Sequence, residues 1–326
     1  MKLTDGKNIM VYVEMADNLP VNGSLEVLAK ARELALAKGE KAVAVLIGKE
    51  LTAAAKTAIE AGADQAILVE KETCQMETYI EVMTALIEKY TPAMVLMAAT
   101  QYGRDLAPAL AQRFETGCVT DAAQITPEGV FTNLFYNGNI LNDVKIRAPY
   151  LQIASVRSGS FSKNVEAGRT GDMIKEEIQV AEEKIPTKIV DQVKEIAEAV
   201  NLEEAEVIVA GGRGMGSKEN FELVKQLAEV CGGVVGATRP AIEGEWISRA
   251  HQVGQSGKIV APKLYIACGV SGATQHISGM IGSHYIVAIN KDEDAPIFEV
   301  ADLGIVGDVM KVIPLLMEEI KKQKEQ

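Results

Sequence analysis

Apolar positions in the first hundred residues come in short unbroken runs, separated by stretches where they recur every three to four residues. The runs are "IMVYVE" at 9–14, "AVAVLI" at 42–47, "AILVE" at 66–70 and "MVLMA" at 94–98. Runs of this length without a polar break predict strands covered on both faces. Between them, Met76, Tyr79, Ile80, Met83, Ile87 and Tyr90 fall on one helical face. Strand–helix–strand order predicts a parallel sheet with right-handed crossovers. After "YGRDLAPALAQRF" the period falls to two: "DAAQI", "VFTNLFY", "NILNDVKI" and "LQIASV" predict antiparallel strands added to that sheet, with Asn137 and Gly138 in a turn.

From residue 172 to 206 charge becomes dense and the strand pattern fades. The chain then restarts. "VIVA" at 207–210 runs into "GGRGMG" at 211–216, and Ser217 is placed to cap a helix beginning at Lys218. Short strands follow at "GVVGA", "LYIAC", "IVAIN" and "IFEVA", and a last amphipathic helix carries Pro314, which should bend it. The fold class is therefore α/β: an N-terminal parallel α/β domain with added antiparallel strands over 1–190, an acidic hinge over 191–205, and a C-terminal doubly wound parallel-sheet domain over 206–326. In such a sheet the ligand lies at the carboxyl ends of the strands.

Composition changes the picture mainly for partners. The net charge is −12, and a nucleic-acid backbone needs a basic surface, so no nucleic-acid partner is expected. The start, "MKLTDGKNIM", is too polar for a signal peptide, and no apolar run reaches the roughly 18 residues of a membrane span. Cys74, Cys118, Cys231 and Cys268 show no metal-ligand spacing. A cytoplasmic, reducing setting is expected, with no zinc or iron–sulfur cluster and no membrane insertion.

Against that acidic background, the loops expected at the ligand edge are small, polar or basic: residues 211–214, 237–239, 252–258, 269–276 and 290–292. Glycines let backbone approach a pyrophosphate, and Arg213 or Arg239 can neutralise it. "GGRGMG" lacks the G-x-G-x-x-G spacing, "GQSGK" lacks the first glycine of a P-loop, and neither "GVSGA" nor "GQSGK" completes G-x-S-x-G. ATP hydrolysis and serine hydrolysis are both poorly supported. His276 reads equally as a ligand contact or as a turn histidine satisfied by backbone. His251 and His284 read as surface or packing residues.

The stretch "QVGQSGKIVAPKLYIACGVSGATQHISGM", followed by "IVAINKDEDAPIFEVADLGIVGD", resembles the C-terminal signature of electron-transfer flavoprotein α subunits. "GGRGMG" and "ATQYGRDLAP", in the expected order, extend the resemblance over nearly the whole chain. It implies an N-terminal domain that docks on a β subunit and a C-terminal domain that carries FAD and swings. Carried over by position, it places Arg213 at the FAD phosphates, and Thr238 and Arg239 at the isoalloxazine. Val253, Gly254, Gln255 and Ser256 pass the flavin, with the Ser256 hydroxyl facing N5. Ser271, Gly272, Ala273, Thr274 and Gln275 line the pyrophosphate, and His276 reaches the flavin C2 carbonyl. Asn290, Asp308 and Val309 take the adenosine end. A guanidinium and an imidazole beside the flavin would favour added negative charge there.

"RPAIEGEW", at 239–246, departs from respiratory members of the family and resembles anaerobic ones. Some of those couple NADH oxidation to an acyl-CoA-type dehydrogenase and to ferredoxin by electron bifurcation. Trp246 reads by default as a packing residue. The implied activity is that of an electron carrier subunit in a heterodimer, an oxidoreductase only within its complex. Two alternatives stay open: an NAD-dependent oxidoreductase built on the C-terminal domain, for which Asp292 and Asp308 supply acids, and a non-redox nucleotide sensor.

Overall fold

In the computed structural model the chain divides into two compact units, Met1–Val193 and Lys194–Gln326. The structure describes residues 6–72, 74–136, 138, 140–147, 150–187, 189 and 202–324. Residues 190–201, most of the expected hinge, lie outside them, as does Asn137.

The first unit is built on β1 (Ile9–Val13), a small hairpin of β2 (Met15–Ala16) and β3 (Leu19–Pro20), α1 (Asn22–Lys38), β4 (Ala42–Gly48), α2 (Leu51–Glu60), β5 (Gln65–Glu70), α3 (Met76–Tyr90), β6 (Met94–Ala98) and α4 (Gln101–Arg113). Then come β7 (Cys118–Ile125), β8 (Val130–Phe135), β9 (Ile140–Lys145), β10 (Gln152–Val156) and β11 (Asp172–Lys175). Apart from β2 and β3, these strands form one nine-stranded sheet in the order β11-β5-β4-β1-β6-β10-β7-β8-β9. All five residues of β1 are buried, because its two faces feed different cores. Ile9, Val11 and Val13 pack with Leu25, Leu28 and Leu34 of α1 and with α2. Met10 and Tyr12 pack with Val82 and Leu86 of α3 and Leu106 and Leu110 of α4. This double coverage is why the strand reads as an uninterrupted apolar run.

Within the nine-stranded sheet, antiparallel pairing among the described residues is confined to β7–β8 and β8–β9. "LQIASV" instead forms β10, parallel to both β6 and β7. Its polar alternation is misleading because Ser155 is fully buried and its hydroxyl accepts the Asp121 N–H at 3.0 Å. The expected turn between β8 and β9 holds at Gly138, with φ 87. The charged stretch hides one more parallel strand, β11, at the outer edge beside β5. Its side chains are largely exposed, so it carries no apolar signal. The guanidinium of Arg169 fastens this edge by pairing with Asp64 at 2.6 Å.

The second unit has β12 (Val207–Gly211), α5 (Lys218–Cys231), β13 (Val234–Ala237), α6 (Arg239–Glu243), β14 (Leu264–Cys268), α7 (Thr274–Ile277), β15 (Ile286–Asn290), β16 (Leu303–Val306) and α8 (Val309–Lys324). Its five strands are all parallel, in the order β13-β12-β14-β15-β16. Ser217 caps α5, its hydroxyl accepting the Asn220 N–H, and Gly232 ends the helix in the left-handed conformation. The segment "IFEVA" does not form a strand. Pro296, which lacks an N–H for a ladder, starts a short 3-10 turn over Pro296–Glu299 that buries Ile297. The fifth strand falls instead on "LGIV", at the sheet edge. Helix α8 runs unbroken through Pro314.

The strand order reverses direction between β12 and β14, so the loops leaving them part and open a crevice. At its floor the two loops touch back to back. The Gly214 N–H donates to the Gly269 carbonyl at 2.9 Å. Gly269 has φ 62, and a Cβ there would lie 2.8 Å from the Gly214 carbonyl carbon. Gly269→Ala should therefore lower stability by about 2 kcal/mol or more. The single tryptophan, Trp246, packs on Phe221 in this unit with ring centroids 6.1 Å apart. Its fluorescence should report a lowered urea midpoint, and an unchanged midpoint would refute the close-packing account.

Candidate functional site

The loops at the carboxyl ends of the second sheet surround a cleft of about 810 Å³. That is the size range of sites for large organic ligands. Arg213 enters from the loop after β12, and Thr238 and Arg239 from the end of β13. Val253, Gly254, Gln255 and Ser256 form one wall. Ser271, Ala273, Gln275 and His276 come from the loop after β14, and Asn290 from the end of β15.

Four of the expected residues do not line the cleft, each for a local reason. Gly272, with φ 89, packs its backbone on the Pro296–Ile297 segment, where a Cβ would lie 2.7 Å from the Ile297 Cα. Thr274 opens the single turn of α7, and its carbonyl accepts the Ser278 N–H. The Asp308 carboxylate accepts the Met310 N–H at 3.0 Å at the start of α8. Val309 is buried in the core between α5, α8 and the sheet. In the other direction, Gly212, Gly214, Gln252, Gly269, Val270, Lys291 and Asp292, which belong to the loops expected at the ligand edge but carried no assigned FAD contact, also line the cleft, as does Pro240. Most are neighbours of expected residues. Gln252 is different, because nothing in the sequence signals that it is buried.

The charged residues lining the cleft are Arg213, Arg239, Lys291 and Asp292. A chain of net charge −12 therefore builds a locally cationic site, as an anionic ligand requires. The Arg239 Nε–H donates to Glu243 at 2.8 Å, in an exposed pair.

Three polar side chains behind the cleft surface are fixed or left open in informative ways. The Thr238 hydroxyl is buried and has no hydrogen-bond partner, although its backbone is held by the Gly211 carbonyl at 3.0 Å. A buried unpaired hydroxyl costs about 1–3 kcal/mol, so a cleft residue in this state points to a ligand that completes it. The Gln252 amide donates to the Ser256 Oγ at 3.0 Å, leaving the Ser256 O–H free to donate elsewhere. His276 is buried, with Nδ1 3.1 Å from the Val253 carbonyl and Nε2 3.0 Å from the Tyr265 hydroxyl. Burial pushes its pKa down to about 4, against the smaller opposing effect of its bond to Val253, so the ring is neutral at pH 7.

The wall carrying Ser256 is itself held tightly. The Val253 N–H donates to the Ala237 carbonyl and the Gln255 N–H to the Gln275 carbonyl, at 2.9 and 2.7 Å. Gly254, with φ 139, comes so close to Gln275 that a Cβ would lie 2.9 Å from its carbonyl oxygen. Elsewhere, His251 is a packing residue bonded to the Val235 carbonyl at 2.7 Å, and His284 is exposed. Burial pushes the Cys268 thiol up to about 12, so it behaves as a small apolar core residue. Among the described residues no cluster could hold a metal ion, and no helix is long and apolar enough to cross a membrane.

Comparison with known proteins places these loops in a family. The electron transfer flavoprotein FAD-binding domain matches residues 201–281, and the electron transfer flavoprotein domain matches residues 9–185. The electron transfer flavoprotein subunit alpha of Thermoanaerobacterium thermosaccharolyticum is 44% identical over 99% of this chain and 100% of its own length. That of Megasphaera elsdenii is 41% identical over 99% of both chains. The acryloyl-CoA reductase electron transfer subunit beta of Anaerotignum propionicum is 32% identical over 98% of this chain and 96% of its own.

The neutral His276 has a measurable consequence for stability. Its folded pKa, about 4, lies below the ordinary value of 6.5, so the unfolded chain takes up the proton first as pH falls. Stability of the second unit should drop between pH 6.5 and 4, by on the order of 3 kcal/mol, and level off below. Urea midpoints read by Trp246 fluorescence should show this slope reduced in His276→Gln. An equal slope in both proteins would show that the ring is not held neutral.

Proposed function

The chain belongs to the electron transfer flavoprotein family as an α subunit, and from that premise we propose that its cleft holds FAD as a relay between protein partners. The observation that carries this reading is the match of the FAD-binding domain to residues 201–281, which supply most of the cleft wall. The residues fit the cofactor. The glycine-crossed floor admits a pyrophosphate, Arg213 and Lys291 are placed to balance its charge, and the orphaned Thr238 hydroxyl awaits a ligand atom.

FAD, when bound, accepts and releases electrons one at a time. Arg239 favours negative charge at the cofactor, since a guanidinium cannot lose its proton. The Ser256 hydroxyl, its oxygen already accepting from Gln252, is a donor for a ring nitrogen. His276 provides a neutral wall, so it adds no pH-dependent charge above about pH 5. Asn290 works indirectly: its amide donates to the Val270 carbonyl at 2.8 Å and its oxygen accepts the Asp292 N–H at 3.1 Å, joining two loops of the site. Asp308 and Val309 serve the adenosine end by setting the start of α8.

The chain works as an αβ heterodimer with an electron-transfer flavoprotein β subunit, in a reducing cytoplasm consistent with its four free cysteines. Its partner is an acyl-CoA-type dehydrogenase, a reading supported by the acryloyl-CoA reductase subunit among its relatives. In the bifurcating version of this function, NADH and ferredoxin join through the complex.

Purification with the copurifying partner, heat release and identification of the nucleotides tests the reading. FAD is expected, and NAD alone or no nucleotide would overturn it. One FAD per heterodimer marks a simple carrier, and two mark bifurcation. Arg239→Ala should lower the one-electron potential. Arg239 is 68% exposed, so solvent screening should hold the shift to part of the ~60 mV that ~1.4 kcal/mol supplies. An unchanged potential with FAD fully bound would remove Arg239 from this role.

A further inference from the structure

Tyr265 lies in β14, fully buried, on the sheet face covered by Val253, Val260 and Met280. It does not line the cleft. Its hydroxyl meets the His276 Nε2 at 3.0 Å, and the other ring nitrogen meets the Val253 carbonyl at 3.1 Å. These two contacts permit one arrangement of protons. A carbonyl oxygen can only accept, so the His276 Nδ1 must carry hydrogen. In a neutral ring Nε2 is then bare and accepts, so the Tyr265 O–H must donate. The three groups form a directed chain from phenol to imidazole to carbonyl.

We propose that Tyr265 is a positioning residue of the cofactor site: the Val253 carbonyl selects the Nδ1–H tautomer of His276, and the Tyr265 hydroxyl, donating to the bare Nε2, holds the ring in the orientation that keeps the 252–256 wall in place. The mechanical path is short. His276 binds the Val253 carbonyl through its side chain, while the preceding residue, Gln275, binds the Gln255 N–H through its carbonyl at 2.7 Å. Two adjacent residues of α7 thus clip both sides of Gly254, and Ser256 follows directly. Tyr265→Phe would leave Nε2 buried without a donor. The ring would then gain by turning to bring Nε2 to another donor, and that turn releases Val253.

The inference rests on the FAD reading only where affinity is measured; the tautomer is a property of the chain alone. The chain has three histidines, so ring-¹⁵N labelling of the full-length FAD-free protein gives three ring spin systems, and His276→Gln identifies the relevant one. At pH 7 the wild-type ring should show a protonated Nδ1 and a bare, hydrogen-bonded Nε2. A protonated Nε2 in the wild type would overturn the proposal without any variant. Tyr265→Phe should lose the hydrogen-bonded Nδ1–H signal as the ring turns away from Val253, and bind FAD about fivefold more weakly, the usual effect of one hydrogen bond. An unchanged Nδ1–H signal, or an unchanged FAD affinity, would overturn the positioning role. Absence of FAD binding by wild-type protein would instead refute the functional reading, while the spectra would still decide whether Tyr265 sets the ring.

Discussion

Two backbones approach at the floor of the second sheet with no side chain between them. The loop leaving β12 presents Gly212 and Gly214, and the loop leaving β14 presents Gly269 in a left-handed conformation, joined by the Gly214 N–H to Gly269 carbonyl bond. Any Cβ here would occupy space already taken by backbone. Because the strand order reverses at this point, the two chains diverge above the contact and leave the crevice between them. The glycines that line the cleft floor are thus also the glycines that permit the sheet to close. Every other element of the site is placed relative to this crossing.

Electrostatics then separates what attracts the ligand from what shapes its surroundings. Arginines and a lysine stand at the rim of the cleft, where water keeps them charged. The groups further in are uncharged: a threonine hydroxyl, a glutamine amide that donates to the exposed Ser256, and a histidine whose proton is withdrawn by burial. A buried cation without a counter-charge would be costly, so the deep imidazole serves better as a hydrogen-bonded neutral ring than as a charge. The cysteine nearest the cleft, Cys268, is fully buried with its thiol pushed up to about 12.

The first unit follows a different constraint. Both faces of its sheet are covered by helices, so its inner strands carry little polarity; of the polar side chains inside, some have dedicated partners, while the Gln152 Oε1 in β10 is buried without one. Ser155 receives the Asp121 N–H, and Asn133 donates to the Thr120 carbonyl. The antiparallel extension through β8 and β9 ends in an edge strand with Ile140 and Leu141 exposed.

The apolar runs determined the parallel core of both units, since a strand buried on two faces cannot be written any other way. Likewise the glycine-rich loops at 211–214 and 269–276 marked the ligand edge, because only glycine tolerates the required approach. Where elements lie at an edge, the sequence had less to say. β11 is exposed and flanked by charge, β16 is apolar but exposed and lies close in sequence to the equally apolar 296–300 segment, and β10 mimicked an antiparallel strand because its serine has a private hydrogen-bond donor. Which site residues touch the cleft was decided by tertiary structure alone. Asp308 and Val309 sit next to the last strand in sequence, yet one caps a helix and the other fills a core. Gln252 and Tyr265 look ordinary in sequence, yet burial and a single hydrogen bond each make them the supports of Ser256 and His276. Local sequence fixes what a segment can be; which partner its polar atoms find depends on residues brought together only when the sheet closes.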